Sequence, residues 1–309
     1  MREPNRNTDR VISHIKGEST GPLMILVGGM HGNETAGIRA TERIFKQLES
    51  NSLHGELIGL RGNLSALAAH RRFIDYDLNR CWTDDHVAVL HAEVTEHPQV
   101  EDQEAAELLA WLDHYATQDH PIKVLADLHT TSAERGNFVI VPAAHARHPV
   151  VETLFIPVVS GMEPFLPGTL MVYAVQRGFV SFAFEGGQIG SEEAVNLHEA
   201  GIWMMLHTLE MISLSDERVN QYRSLLQEYG RSLPRRVAAK SMHMIVEGAD
   251  FAMNTGYYNF KPVHRGEVVA HDQDGPIVSP QDGMIFMPLY QKEGKDGFFI
   301  VEEEPWHSE

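Results

Sequence analysis

Cysteine is almost missing. The single residue, Cys81, excludes an intramolecular disulfide and suits a reducing compartment, so the cytoplasm is the expected location. Long apolar runs are missing too. No stretch reaches about 18 uncharged apolar residues, which argues against a membrane-spanning helix and a membrane partner. The N-terminal residues Met1 to Arg6 are polar, with no apolar stretch of about 7–15 residues to mark an export signal. Positive charge is scarce: 25 Lys and Arg against 43 Asp and Glu leave a formal net charge of −18, the wrong sign for binding a nucleic-acid backbone. An anionic small molecule is then bound only where arginines gather locally against the global field. No internal repeat or low-complexity tract is visible.

What is present is ample core material, 43% hydrophobic over 309 residues. That length predicts one large domain with a smaller one. Short apolar runs alternate with helical patterns in the first part, the signature of an α/β fold with a largely parallel sheet. Leu23 to Val27 reads as a buried strand closed by Gly28 and Gly29, and a helix follows over 35–48 with Ile38, Ile44, Phe45 and Leu48 on one face. Further strands are expected at 56–60, 122–126, 137–141 and 179–184. Helices are expected at 101–116, with an acidic beginning, and from Glu192 to about Ile212, capped by Ser191 and buried along Val195, Ile202, Leu206 and Leu209. Residues 81–100 show no clear period and read as a loop. A charged helical stretch from Asp216 ends at Leu233-Pro234-Arg235-Arg236, a linker that divides a unit 1–232 from a unit 233–309. Beyond it, turns such as Asp274-Gly275-Pro276 and Asp282-Gly283 predict a small all-β domain.

Four motifs carry chemistry. His31-Gly32-Asn33-Glu34 follows the first strand directly, and a histidine and a glutamate three apart at a helix start can aim both heads at one point. The spacing is weak evidence by itself, since His264-Arg265-Gly266-Glu267 repeats it in what reads as a turn. Location separates the two, because open α/β sheets bind ligands at the carboxyl ends of their strands. Asp127-Leu128-His129 stands at a matching strand end. His31, Glu34 and His129 would leave a tetrahedral zinc one open position; the alternative is three unrelated polar loop residues. Asp127 reads equally as a carboxylate that orients an imidazole or as a turn cap. Glu185, before Gly186-Gly187 at a third strand end, is the candidate general base, and the alternative is a satisfied turn carboxylate. The stretch Arg71 to Arg80 clusters guanidinium groups suited to carboxylates and oxyanions, or else forms a solvated basic loop. Histidines such as His70, His86 and His97 receive no role.

The ordered set His31-x-x-Glu34, Arg72-Phe-Ile-Asp-Tyr-Asp-Leu-Asn79-Arg80, Asp127-Leu-His129 and Phe-Glu185-Gly-Gly resembles the succinylglutamate desuccinylase/aspartoacylase family over roughly residues 20–215. The resemblance implies a zinc-carboxypeptidase-like mixed, largely parallel sheet flanked by helices, with a C-terminal barrel-sandwich-like β-domain. It implies one zinc ion held by His31, Glu34 and His129, Glu185 activating water, and Arg72 polarising the scissile carbonyl. Asn79 and Arg80 would hold a substrate carboxylate, and the substrate is a small anionic N-acyl amino acid cleaved at its amide. Aspartoacylases carry one more arginine about ten residues before the catalytic glutamate; here that position is Val175, and Arg177 is the nearest substitute. The C-terminal stretch resembles biotinyl/lipoyl domains, but no lysine stands at the 274–276 turn where a cofactor would attach, so a lid is the expected role. Tyr257, Tyr258 and Tyr290 are its candidate substrate contacts, or are simply packed. The rival readings are a metallocarboxypeptidase acting on short peptides and a silent metal- or ligand-binding protein. Self-association into a homo-oligomer is left open.

Overall fold

The computed structural model describes residues 9–48, 52–92, 98–132, 136–290 and 294–304. In chain order the first elements are β1 (Val11–Lys16), β2 (Leu23–Gly28), α1 (Ala36–Gln47), β3 (Glu56–Arg61), α2 (Leu64–Ala69), α3 (Asp84–Ala92), α4 (Val100–Ala116) and β4 (Lys123–Thr131). They are followed by β5 (Asn137–Ile140), α5 (Pro149–Glu152), β6 (Val158–Ser160), α6 (Leu170–Gln176), β7 (Val180–Gln188), α7 (Glu192–Thr208) and α8 (Asp216–Gly230). From Arg236 onward the described residues form strands without helices: β8 (Arg236–Met244), β9 (Ala252–Met253), β10 (Lys261–Val263), β11 (Val268–Asp272), β12 (Gly275–Val278), β13 (Gly283–Phe286) and β14 (Asp296–Glu303).

β3, β2, β4 and β7 pair in parallel at the centre of the main sheet. β2 is buried along its whole length because helices cover both faces. Its side chains alternate with the pleat: Met24 and Leu26 meet α1 and α7, whereas Leu23, Ile25 and Val27 meet α4. Each such aliphatic side chain removed from water contributes about 1.5–3 kcal/mol. Ser191 caps α7 by accepting from the amide of Ala194, and Glu192 and Glu193 lie in its first turn. The stripe of Val195, Ile202, Leu206 and Leu209 is buried as its spacing predicts.

The structure departs from the sequence expectations in four places. Residues 84–92 are helical rather than looped; only Val87 of α3 is buried, so a surface helix leaves no apolar period to read. β4 continues past Ala126 to Thr131, and β7 past Phe184 to Gln188, because polar residues needed at the site interrupt the apolar pattern before the strands end. The His31-to-Glu34 segment is a turn ahead of α1, with the Glu34 amide donating to the His31 carbonyl at 3.0 Å. Finally, β8 pairs in parallel with the three-residue β6, so the central sheet runs without a break into β14, β13 and β10. A separate sheet of β12, β11 and β9 packs over those strands through Val269, Ala270, Ile285 and Ile300.

Candidate active site

The carboxyl ends of β2, β4 and β7 converge at one edge of the sheet, where open α/β folds bind ligands. The chain leaves β2 through Gly29 at φ 76°, a conformation suited to glycine, and turns past His31 to Glu34. Gly32 is required by space: a Cβ there would lie 2.1 Å from the Ala66 carbonyl carbon in α2. The Gly32 amide donates to the carbonyl of Arg72 at 3.2 Å, which ties this turn to the arginine loop. On β4, Asp127 and His129 are two residues apart and so share one face. In the strand register His129 pairs with Glu185 of β7.

His31, Glu34 and His129 are all buried, and one ligand atom from each lies within 4.8 Å of the others. Nδ1 of His31 lies 2.8 Å from Glu34 Oε1, and Nδ1 of His129 lies 3.1 Å from Glu34 Oε2. The far nitrogens are each held by another carboxylate: His31 Nε2 by Asp77 at 3.1 Å and His129 Nε2 by Asp127 at 2.8 Å. Carboxylates behind the imidazoles fix ring orientation and strengthen the ring nitrogens as ligands. Asp127 therefore orients an imidazole and caps no turn, and Asp77 is its counterpart. Burial alone would raise the Glu34 carboxyl, yet His31 and His129 hold it well below its usual range. Burial opposes charge on His129, but Asp127 and Glu34 on its two nitrogens drive its pKa well above the ordinary value. The cluster is thus built around positive charge. Two imidazoles and one carboxylate suit zinc, and Asp127 Oδ1 and Glu185 Oε2 are buried without a hydrogen-bond partner among the described residues. The residues present fit a divalent ion.

Arg72 donates to Glu34 at 3.4 Å and to Asp77 at 3.1 Å. Asn79 spans the site: its Nδ2 lies 3.2 Å from both Asp127 and His129 Nε2, and its Oδ1 accepts from the Leu170 amide at 2.8 Å. Arg80 donates to the Asn79 carbonyl and forms an ion pair with Asp296 at the start of β14. This loop is not a solvated basic surface. Glu101, fully buried in α4, accepts from the amides of Ile74 at 2.7 Å, Asp75 at 3.0 Å and Tyr76 at 3.3 Å, and from Asn63 Nδ2 at 3.0 Å. The acidic beginning expected for that helix includes this internal strut, which no sequence spacing announces.

Glu185 is buried, and its carboxyl is pushed up to about 8, first by burial and further by Glu34 and Asp127, against the pull of His129 and Arg72. The Gly186 that follows it is no flexible turn: it lies in β7, and a Cβ there would sit 2.3 Å from the His198 ring. His31, Glu34, Arg72, Asn79, Arg80, His129 and Glu185 all line one cavity of about 710 Å³, and residues from Met244 to Asp296 form part of its wall.

Other candidates stand elsewhere. Arg177 is the C-cap of α6 and stacks its guanidinium 4.3 Å from the Tyr173 ring centre, outside the cavity lining. Tyr257 donates to Glu267 at 2.6 Å and Tyr290 to the Asn254 carbonyl at 2.8 Å; neither they nor Tyr258 line the cavity. His264 and Glu267 sit in the turn between β10 and β11, as their spacing in a turn-rich stretch predicts. His70 ends α2 and His86 contacts the Tyr76 hydroxyl, while His97 lies outside the described residues.

A mixed α/β sheet with a two-histidine, one-carboxylate cluster at its carboxyl edge defines the class. The family described as "Succinylglutamate desuccinylase/Aspartoacylase catalytic domain" matches residues 20–194, and the chain belongs to that family. It is similar to a probable aspartoacylase of Parasynechococcus marenigrum, 37% identical over 119 residues, which is 38% of this chain and 37% of that protein. It is also similar to a succinylglutamate desuccinylase of Pseudomonas paraeruginosa, 30% identical over 201 residues, 60% of this chain and 58% of that protein. The matched regions thus span less than two thirds of these relatives' lengths. In fold it resembles the succinylglutamate desuccinylase/aspartoacylase crystal structure from Rhodobacter sphaeroides, with a TM-score of 0.68 at 18% identity over 94% of this chain and 88% of that one.

Proposed function

We propose that the protein is a zinc-dependent hydrolase that cleaves the amide bond of a small N-acyl amino acid. The observation that carries the reading is the convergence of His31, Glu34 and His129 opposite Glu185 and beside Arg72, all at one cavity. In this reading residues 1–232 are the catalytic unit and residues 233–309 a β-rich unit that narrows the mouth.

His31, Glu34 and His129 would hold one zinc ion, which would supply Lewis acidity at this point of the cavity. Glu185 takes a proton from the attacking water and delivers it to the leaving nitrogen as the carbon–nitrogen bond breaks, giving a carboxylate and an amine. Burial and the neighbouring carboxylates push its carboxyl upward, which strengthens it as a proton acceptor. Arg72 donates to the carbonyl oxygen as negative charge develops there. Arg80, with Asn79 beside it, receives the substrate carboxylate. The wall contributed by Met244, Met287, Pro288, Leu289 and Asp296 favours a small substrate over an extended peptide. Cytoplasmic location fits the lone, buried Cys81, and no described helix is long and apolar enough to cross a membrane.

The test is amine release from a panel of N-acyl amino acids and short peptides, with metal content measured on the same preparation. Release from N-acyl amino acids that stops on chelation and returns with zinc is expected. Release from peptides alone, or none with zinc bound, overturns the reading.

A further inference from the structure

The arginine that resembles the family's carboxylate clamp is already engaged by the protein itself. Arg80 Nη1 donates to the Asn79 carbonyl and Nη2 pairs with Asp296, a residue 216 positions later in the chain. Burial disfavours the Arg80 cation, but Asp77 and Asp296 more than offset it and hold the guanidinium firmly charged. Arg72 is likewise engaged, by Glu34 and Asp77. Of the three lysine and arginine side chains that line the cavity among the described residues, only Lys295, exposed at its rim, makes no ion pair with a described residue. Five carboxyl groups line the same space: Glu34, Asp75, Asp77, Glu185 and Asp296. Among the described residues no further guanidinium lines the cavity, and Arg177 stacks on Tyr173 outside it. Much of the remaining wall is apolar, with Phe165, Leu166, Met171, Met244, Met287 and Leu289 among its residues, and Thr130, Thr131, Ser132 and Thr169 add hydroxyl groups.

From this arrangement we propose that the substrate is an N-acyl amino acid with a single carboxylate and an otherwise uncharged, largely apolar body, and that Asp296 sets this preference by occupying Arg80. The inference rests on the amide-hydrolase reading of the site. The donors left on Arg80, with Lys295 at the rim, suffice for one carboxylate. A second carboxylate meets Asp296 with no further free cation among the described residues, and leaves its hydration for a largely apolar wall. An aliphatic or aromatic group gains from that same wall. Asp296 is therefore a specificity-determining residue, which discriminates by repulsion.

Calorimetric titration of zinc-loaded wild type and Glu185→Gln with N-acetyl-leucine, N-acetyl-phenylalanine and the diacids N-acetyl-aspartate and N-acetyl-glutamate tests this directly. The first two should bind at least tenfold more tightly than the diacids. In Asp296→Asn the ratio should fall at least tenfold, through tighter binding of the diacids. Equal or tighter binding of the diacids by wild type overturns the inference, and it needs no folded variant to be seen. An unchanged ratio in folded Asp296→Asn removes Asp296 from specificity. Amine release on the same panel separates the two levels. Selective binding without release overturns the hydrolase reading and leaves the preference standing; release that favours the diacids does the reverse. Binding of none overturns both.

Discussion

His129 and Glu185 occupy paired positions on the parallel strands β4 and β7, so the backbone register fixes one against the other. Neighbouring strands lie about 4.8 Å apart. A proton-transfer group and an imidazole held on two hydrogen-bonded strands keep their geometry better than groups on loops. In this cluster only His31, Glu34 and the 72–80 segment lie off the strands, and each is tied down separately.

Replacing Glu185 with glutamine keeps the shape of the side chain and removes its capacity to take a proton. Turnover should fall by about 10²–10⁴-fold. Zinc content should stay at wild-type stoichiometry, because Glu185 is not one of the three clustered ligand residues. Steady-state kinetics with metal analysis checks both; activity within a factor of a few of wild type removes Glu185 from its role as base.

Asp77 and Asp127 stand behind His31 and His129 at 3.1 and 2.8 Å. Asp77→Asn and Asp127→Asn should each weaken zinc binding about 10–100-fold, since a carboxylate partner raises the basicity of its imidazole. Competition against a chromophoric chelator gives the affinities. Wild-type affinity in both variants would show that the far nitrogens do not tune the site.

Much of this site was legible because chemistry interrupts pattern. His31, Glu34, His129 and Glu185 each follow a run of apolar residues, and the strand-end rule gathers them from sequence alone. The same interruptions misplace the strand ends, since Asp127 and Glu185 still belong to β4 and β7. Long-range pairing was not legible. Nothing near Arg80 in sequence indicates Asp296, and Glu101 looks like an ordinary acidic helix start until the amides of the 74–76 segment close on it. α3 was hidden for another reason: a helix that buries one side chain carries no period.

Glu101 supports the arginine loop through three backbone amides and Asn63. Glu101→Ala leaves those buried donors unmatched, each at a cost of about 1–3 kcal/mol where no water replaces the carboxylate. Urea unfolding should show a loss on the order of 3 kcal/mol. Turnover should fall as well, because Arg72 and Arg80 flank the freed segment. A stability change below about 0.5 kcal/mol, within the range of ordinary surface substitutions, would exclude the strut.

Glu56, outside the cluster, should contribute its own acid sensitivity. Burial would raise its carboxyl, but hydrogen bonds from His14 at 2.7 Å and Tyr115 at 2.7 Å, with the charge of Lys16, depress it to about 2. A carboxyl of lowered pKa stabilises the fold above its unfolded value, here about 4.5, and that contribution is lost as pH falls toward 2. The shift corresponds to on the order of 3 kcal/mol for a side chain that is almost wholly buried. Glu56→Gln should therefore be markedly less stable than wild type at pH 6, and the gap should close progressively between about pH 4.5 and pH 2. The sign matters: a group whose pKa rose on folding would give a gap that widened toward low pH. Chemical unfolding of both proteins at stepped pH measures the difference. A gap that stays constant across that window would mean that Glu56 stabilises by packing and hydrogen bonding alone, with no change in its proton affinity on folding.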